Sequence, residues 1–513
     1  DEAPLAAAVL YSTKLNCGSY WEHVLSGDPR NPDILVLIGI GRGPCVTRDG
    51  GKTWTLATLQ GIPFRGDPVS VITPSGSFLL AADGTVNNPS CGKGHSVVGA
   101  LYQGPASGKV FTGTYFKRPP ADLKAPCVAV DYPKIAFASA TNAIYISGVG
   151  VKFENAGEGT ALFTSRDEGQ TFTEQRLQTA TIRPFTSIES MDVTAEGHLR
   201  ALILFGAVSR LLRFDQFADH FDVVPGLPML GSQQIARVSA ESERYWFVHT
   251  GPKIAIDRSS RNRNRIYILW ADPEAVVKDP AFEFGGEYGR NFDIFLTYSD
   301  NDGITWSTPV KVNDDATTGD QFFPSIDVDS DGIVHVAFLD KRANPDLPQY
   351  DIYYAKLVDG KVSRNIRVNP SHVPNAIGGR QPGDYLEMVV AYPDKSYVSY
   401  PCGDYNNLHR QADDACITAL DPTAIPLLGE FYRGDSTQDF IIDISDAINI
   451  LGYLFTGSGT ITCQDAADVN DDGEIDLSDA LYLLNYLFKN ERQPPSPFPQ
   501  PGKDPTEDQL NCN

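Results

Sequence analysis

The chain contains 513 residues, of which 42% are hydrophobic, and its 65 acidic residues outnumber its 42 basic ones to give a formal net charge of −23. This acidity argues against nucleic acid or an anionic membrane surface as a partner, because both carry negative charge. No stretch approaches the roughly 20 apolar residues of a membrane span, so we expect none. The length and the apolar content allow more than one domain.

Eight cysteines are spread along the chain, and none forms a CxxC redox or metal motif. Their even number indicates four disulfides made in an oxidising compartment, with reduced buried thiols as the alternative. The pairs that we expect are Cys91–Cys127, Cys402–Cys416 and Cys463–Cys512. The sequence begins at Asp1 without Met, as a mature protein does after signal peptide removal. We therefore expect a secreted protein, extracellular or at the cell surface.

Residues 1–420 have the pattern of a mainly β region. Short apolar runs such as Ile34–Ile40 and Arg265–Trp270 are separated by turn signals such as Asp302-Gly303. This alternation indicates antiparallel hairpins. Because the region is long and its hairpins are regular, the pattern favours a radial repeat over a single sandwich.

One turn motif recurs three times in this region, at Thr47–Trp54, Ser165–Phe172 and Ser299–Trp306. Its pattern is Ser/Thr-x-Asp/Asn-x-Gly-x-Thr-Trp/Phe. The Asp or Asn side chain can cap backbone amides of the turn, and the glycine can adopt a positive φ. The aromatic ring can pack back beneath the turn. The motif therefore predicts a folding element rather than a catalytic one.

The recurring turn resembles the Asp box of the sialidase superfamily, also called the bacterial neuraminidase repeat. This resemblance implies a β-propeller, and about six strand-and-turn units can be counted. The predicted fold is therefore mainly β, with a six-bladed propeller over residues 1–420 and seven blades as the alternative. Residues 421–431 are the predicted linker, and residues 432–513 a small α-helical module.

The same resemblance implies where catalysis would occur. Sialidases hold the sugar carboxylate with three arginines and use a Tyr–Glu nucleophile and an Asp acid/base. This chain contains Phe64-Arg65 but lacks the Phe/Tyr-Arg-Ile-Pro motif of the family's first arginine. The other candidates are Arg342, Arg380, Asp340 and Asp384. None of them can be placed in a triad, so standard sialidase activity is not expected, and glycoside hydrolase-like chemistry remains open.

The C-terminal segment contains two related twelve-residue loops, each followed by an apolar helical sequence. Each loop has oxygen side chains at positions 1, 3, 5, 9 and 12 and offers the carbonyl of position 7, which is the spacing that a hard cation requires. An acidic solvated loop is the alternative, but the spacing occurs twice. We expect two Ca²⁺ sites, with ligands Asp435, Thr437, Asp439, Ile441, Asp443 and Asp446, and Asp468, Asn470, Asp472, Glu474, Asp476 and Asp479.

The two loops differ at position 6, where the chain must turn with positive φ. Gly473 supplies this turn in the second loop, whereas Phe440 stands at the equivalent position in the first. A bulky residue in this conformation costs roughly 1 kcal/mol or more. We therefore expect the first calcium site to be weaker or distorted.

The paired loop–helix repeats resemble the dockerin module, over about residues 432–490. The resemblance implies calcium binding and docking onto a cohesin-like partner or another surface protein. It also places partner recognition at loop positions 10 and 11, which are Ile444, Ser445, Leu477 and Ser478. Many dockerins carry Ser-Thr-like pairs there, so the apolar residues of this chain predict a more apolar docking surface than that of a standard dockerin.

Two functions stay open at this point. The first is a secreted sialidase-like propeller that binds a glycan or processes glycosides in a non-standard way, attached to a surface or complex by the calcium module. The alternative is a non-catalytic structural or adhesive protein that acts through protein–protein contacts, including self-assembly. A lyase or hydrolase of another class is less favoured. The preference for carbohydrate rests on family resemblance alone, and fold does not fix function.

Overall fold

The computed structural model describes residues 8–17, 21–40, 42–86, 96–115, 131–153, 157–177, 187–205, 208–215, 221–224, 252–278, 287–343, 349–374, 386–402 and 414–512. Their strands form seven mostly antiparallel sheets. The predicted mainly β propeller is therefore confirmed, with seven blades rather than six.

The first four blades follow one another along the chain. Blade 1 contains β2 (Trp21–Asp28), β3 (Asn31–Ile40), β4 (Arg42–Thr47) and β5 (Thr55–Leu56). Blade 2 contains β6 (Thr58–Gln60), β7 (Phe64–Ile72), β8 (Ser77–Val86), β9 (Ser96–Pro105) and β10 (Val110–Tyr115). Blade 3 contains β11 (Asp131–Ala138), β12 (Ala143–Phe153), β13 (Gly157–Ser165) and β14 (Thr173–Arg176). Blade 4 contains β15 (Ile188–Val193), β16 (Leu199–Phe205), β17 (Val208–Phe214) and β18 (Phe221–Val224).

The last three blades complete the ring. Blade 5 contains β19 (Lys253–Ile256), β20 (Ile266–Lys278), β21 (Glu287–Ser299) and β22 (Val310–Lys311). Blade 6 contains β23 (Gln321–Val328), β24 (Val334–Asp340), β25 (Gln349–Val358), β26 (Lys361–Val362), β27 (Ile366–Arg367) and β28 (Val373–Pro374). Blade 7 contains β29 (Val389–Tyr392), β30 (Lys395–Pro401), β31 (Ala415–Leu420) and β1 (Val9–Lys14).

The seventh blade joins both ends of the propeller segment. Strand β1 pairs antiparallel with β31, with Val9 opposite Leu420 and Lys14 opposite Cys416. This pairing leaves β1 as the outer strand of a sheet whose other strands come from the opposite end of the segment. No contiguous stretch of sequence corresponds to this blade, which explains why counting repeated units gives six.

In blades 4 and 6, a Ser-x-Asp sequence on the inner strand accepts hydrogen bonds from the inner strand of the next blade. Ser190 and Asp192 of β15 accept hydrogen bonds from the backbone amides of Ile254 and Ile256, at 3.1 and 2.8 Å. In β23, Asp327 accepts from the Ala391 amide at 2.9 Å, in the same relation to blade 7. These contacts satisfy amides of the next blade's inner strand, so they fix the blades around the central axis.

The three recurring turns connect the third and fourth strands of blades 1, 3 and 5, and their geometry matches the expectation. In the first, Thr53 donates its backbone N–H and its hydroxyl to Asp49, at 2.9 and 2.6 Å. Gly51 has φ of +93°, and the Trp54 indole donates to its carbonyl at 2.9 Å. The equivalent glycines of the other turns, Gly169 and Gly303, have φ of +80° and +83°.

The chain after the propeller is mainly helical. A short 3₁₀ turn, Pro422–Ala424, precedes α1 (Ile444–Leu451), a π-helical turn (Gly452–Thr456), α2 (Gln464–Ala467) and α3 (Leu477–Lys489). Helices α1 and α3 pack through a small core of buried residues, namely Ala447, Ile450, Ala467, Val469, Ala480 and Leu483. Within the described ranges, no helix is long and apolar enough to cross a bilayer.

The expected linker is folded against blade 6. Leu428 donates its amide to the Val362 carbonyl at 2.9 Å, and the Arg364 amide donates to the Pro426 carbonyl at 3.1 Å. Ile425 is fully buried in the core shared by blades 5, 6 and 7. This segment therefore extends the packing of the propeller instead of separating it from the helices.

Three disulfides lie in the described part of the chain. Two of them, Cys402–Cys416 and Cys463–Cys512, are pairs expected from the sequence. The third joins Cys17 to Cys45. The expected partners Cys91 and Cys127 lie outside the described residues.

The buried His23 predicts a loss of propeller stability in acid. Burial lowers its pKa from 6.5 to about 4, so the unfolded chain binds a proton more readily than the folded one between these values. Stability therefore falls as the pH drops from 6.5 towards 4, by roughly 3 kcal/mol in total. Between pH 7 and 4.5, we expect the free energy of unfolding of His23→Gln to fall by about 2–3 kcal/mol less than that of the parent, as measured by denaturant unfolding. Equal losses in the two proteins would contradict this.

Candidate calcium and docking site

Position 1 of each loop organises the turn in the same way. Asp435 accepts hydrogen bonds from the amides of Asp439 and Phe440 at 3.2 and 3.0 Å. Asp468 accepts from the amides of Asp472 and Gly473 at 3.1 and 2.8 Å. The backbone N–H groups therefore wind the loop around the first carboxylate, which directs the side chains of later positions towards one centre.

Position 12 joins each loop to the helix that follows it. Asp446 accepts from the amides of Thr437 and Asp443, both at 3.0 Å. Asp479 makes the equivalent contact with the Asp476 amide, at 2.9 Å. Since Asp443 and Asp476 cap the amides of α1 and α3, loop and helix form one continuous unit.

The buried loop carboxylates are electrostatically costly. Burial, together with repulsion from Asp446 and Asp439, raises the pKa of Asp435 to about 7. Burial raises the pKa of Asp446 to about 6 and, with repulsion from Asp468, that of Asp479 to about 7. A divalent cation would offset both costs, and the oxygen donors fit a hard ion such as Ca²⁺. The residues present therefore fit calcium in each loop.

Phe440 adopts the left-handed conformation that its position demands, with φ of +66°, against +83° for Gly473. Its ring packs against the propeller core and lies 6.5 Å from the ring of Tyr432. The first loop nevertheless keeps the position 1 hydrogen bonds of the second. Contact with the propeller thus accounts for a bulky residue at position 6, and weaker binding in the first loop stays a prediction.

The two repeats expose matching apolar side chains. Ile444, Ile448 and Phe455 recur as Leu477, Leu481 and Phe488, and each of the six is between 46% and 67% exposed. Among the described residues, eight of the thirteen large apolar side chains classed as exposed lie in this C-terminal module. We call these six residues the apolar docking face. The predicted contact residues Ile444 and Leu477 belong to it, and Ser445 and Ser478 follow them directly.

A cavity occupies the centre of the propeller. It has a volume of about 540 Å³ and is lined by the inner strands of all seven blades. Lys134, Lys253 and Glu387 contribute charge to its lining, and Lys253 Nζ lies 3.9 Å from a Glu387 oxygen. Burial, with repulsion from Lys253, lowers the pKa of Lys134 to about 8.

The candidate catalytic residues do not meet in this cavity. In the described part of the chain, its lining contains none of Arg65, Asp340 and Arg342. Arg342 instead donates to Asp340 and Asp314 at 2.8 and 2.7 Å, as a residue that stabilises a blade. The other two candidates, Arg380 and Asp384, lie outside the described residues.

Sequence reasoning missed the charged lining of the axial cavity. Lys134 and Lys253 lie in strands of blades 3 and 5, and Glu387 lies just before the first strand of blade 7. Only the closure of the ring brings them together. No local motif marks them, so the sequence held no signal for this group.

Comparison with protein families identifies the helical segment. Residues 433–488 match the family model described as "Dockerin type I domain", and this segment is a dockerin type I domain. Such domains generally bind calcium, occur in extracellular proteins and bind a cohesin-type partner. A comparison with curated proteins gives no match.

Solved structures show distant similarity to the chain. A Dyadobacter fermentans protein of unknown function shares 13% identity and covers 68% of this chain and 98% of its own, with a TM-score of 0.41. The Hadza microbial sialidase Hz136 shares 12%, with coverage of 77% and 75% and a TM-score of 0.40. The NanB sialidase of Streptococcus pneumoniae shares 10%, with coverage of 72% and 70% and a TM-score of 0.42. At this level they support no activity for this chain.

The second loop provides a direct test of the ligand assignment. Asp479→Asn removes a charged position 12 ligand but keeps its shape, and we expect Ca²⁺ affinity in that loop to fall more than about tenfold. Isothermal titration calorimetry measures the change. Glu474→Gln is the matched control, because position 7 binds through its backbone carbonyl. Equal losses in both variants, or none in Asp479→Asn, would refute the assignment.

Proposed function

We propose that this protein is an extracellular component in which a propeller is attached to a protein surface or complex through a calcium-dependent dockerin module. In this proposal residues 1–420 form the propeller, 421–431 the connection, and 432–513 the module with two Ca²⁺ sites. The observation that carries the proposal is the apolar docking face. It leaves six large side chains exposed on α1, the π-helical turn that follows it and α3, which is unusual for a surface without a partner.

The loops and the docking face depend on one another. The position 9 residue of each loop caps the helix that follows, so a loop wound around calcium would set the direction of the exposed side chains. Ile444 and Leu477 stand next to the position 9 ligands Asp443 and Asp476. Loss of calcium should therefore disorder the surface that a partner would bind. This supports calcium-dependent docking onto a cohesin-like or other surface protein.

The apolar character of the face also bears on the kind of partner. In place of the Ser-Thr-like pairs of many dockerins, this chain presents Ile-Ser and Leu-Ser. A complementary partner needs a flat apolar patch with few charges at its centre, since unpaired charges buried in an interface are costly. This supports assembly through protein–protein contacts as the function that the geometry favours.

Carbohydrate binding in the axial cavity is the second candidate. The cavity's volume suits a small ligand, and Glu387 and Lys253 offer a carboxylate and an ammonium group to hydroxyls or to a charged sugar substituent. Without a set of convergent arginines in the described lining, binding is better supported than hydrolysis. The propeller would then recognise a glycan while the module holds it in place.

Substitution of the docking face tests the first proposal. Because both repeats present the same side chains, Ile448→Asp and Leu481→Asp should be combined. We expect the double variant to lose binding to a cohesin-type module by at least about a hundredfold, since each change places a charge in an apolar contact. Surface plasmon resonance in calcium buffer measures it. Ile304→Asp, an exposed residue of blade 5, is the control. Unchanged affinity in the double variant would contradict the proposal.

The second candidate has its own test. If a glycan occupies the axial cavity, binding on a glycan array, followed by calorimetry, should be lost on Glu387→Gln and on Lys253→Met. Arg342 lies outside the cavity, so Arg342→Lys should leave glycan binding unchanged. Hydrolysis of fluorogenic sialosides and other glycosides by the same proteins separates binding from catalysis. If the parent bound no glycan, or if both cavity variants bound it as well as the parent, glycan binding in the axial cavity would be contradicted.

A further inference from the structure

Three carboxylates from distant parts of the chain converge beside the second loop. Asp465 belongs to α2, and Asp504 and Asp508 belong to the C-terminal segment 494–512. One oxygen of each lies within 4.8 Å of the others. A single Ca²⁺ holds its oxygen ligands at 2.3–2.6 Å, so the oxygens around it are separated by no more than roughly 5 Å. The spacing of the three fits that ion.

Asp465 is the unusual member of this group. It is only 6% exposed, and its Oδ1 accepts no hydrogen bond from the residues that the structure describes. A buried carboxylate oxygen without a donor is costly, because neither water nor a protein group replaces its hydration. The Asp465 carboxylate has one oxygen within 4.8 Å of an oxygen of Asp504 and of Asp508, and the charges of these two residues repel it.

Arg433 is a buried cation beside this group, and it is already engaged with other groups. Arg433 donates to the carbonyls of Asp465 and Asp468, at 3.2 and 2.7 Å. Its other terminal nitrogen lies 2.6 Å from Asp504 and 2.9 Å from Asp471. Among the ion pairs of the described residues, none joins Arg433 or Lys503 to the carboxylate of Asp465 or Asp508. Arg433 thus makes no direct ion pair with either of these two carboxylates.

The three carboxylates are separate from the ligands of the second loop. Asp468 directs its two oxygens to the amides of Asp472 and Gly473, whereas Asp465 points to the C-terminal segment. That segment lies against the loop, since Thr506 donates its hydroxyl to Asp471 at 2.9 Å. One side of the group remains open to water through the exposed Asp508, so an ion can enter without unfolding the module.

We propose that Asp465, Asp504 and Asp508 form a third Ca²⁺ site, which fixes the C-terminal segment 494–512 against the second loop. Three carboxylates with water in the remaining positions make a site of low affinity, with a Kd on the order of 10⁻⁴–10⁻³ M, as in other extracellular modules. The ion acts beside Cys463–Cys512, which closes the same segment covalently. The site would be filled at extracellular calcium concentrations and would support the loop that carries half of the docking face.

Counting bound ions tests this site. Equilibrium dialysis of the full chain against ⁴⁵Ca²⁺ at millimolar free calcium gives the number of ions per chain. We expect Asp508→Asn and Asp465→Asn each to bind one ion fewer than the parent. Glu507→Gln, a neighbouring acid outside the group, should bind the full number. Asp508 is exposed, so its variant keeps the test valid if the buried substitution fails to fold.

A double variant separates the third site from the second loop. Asp479→Asn together with Asp508→Asn should bind one ion fewer than Asp479→Asn alone. Hydrogen exchange of residues 502–512 should also become faster in Asp508→Asn at millimolar calcium, but not in Glu507→Gln. The proposal fails if Asp508→Asn binds as many ions as the parent, or if the double variant loses no more than Asp479→Asn.

Discussion

Repulsion among buried carboxylates is the constraint on which the C-terminal module depends. Asp435 and Asp446 approach one another in the first loop, and Asp468 and Asp479 do so in the second. A cation at the centre of each loop would offset this repulsion, because these carboxylates accept hydrogen bonds from backbone amides and from the Thr437 hydroxyl and not from basic side chains. A bound cation would therefore stabilise the wound loops and the helix starts that follow them. The helix starts in turn set the direction of the apolar docking face.

The propeller is stabilised by different means. Its blades are joined by inner-strand hydrogen bonds such as that of Asp192 with the Ile256 amide, and its ring is closed by the pairing of β1 with β31. Neither needs a metal. Phe440, which stands where the second loop has Gly473, packs on the propeller core and so contributes to the contact between the two parts. The docking face is thereby held in a defined relation to blade 6.

Features that depend on neighbours in sequence could be predicted, and features made by ring closure could not. The turn at Thr47–Trp54 and the loop at Asp468–Asp479 make their hydrogen bonds within a dozen residues, so their patterns are visible in the sequence. The seventh blade and the axial cavity assemble residues from remote strands. The group of Asp465 and Asp508 could not be predicted either, because these residues are far apart in sequence and have no characteristic spacing.

Differential scanning calorimetry of the full chain, with calcium and with a chelator, tests whether the C-terminal module alone depends on calcium. We expect chelation to lower the melting temperature of one transition, that of the C-terminal module, and to leave the larger transition of the propeller in place. A single transition that moves as a whole on chelation would contradict it, because the propeller would then share the dependence on calcium. If chelation changed the melting temperature of neither transition, calcium could not be the ion that stabilises the C-terminal module.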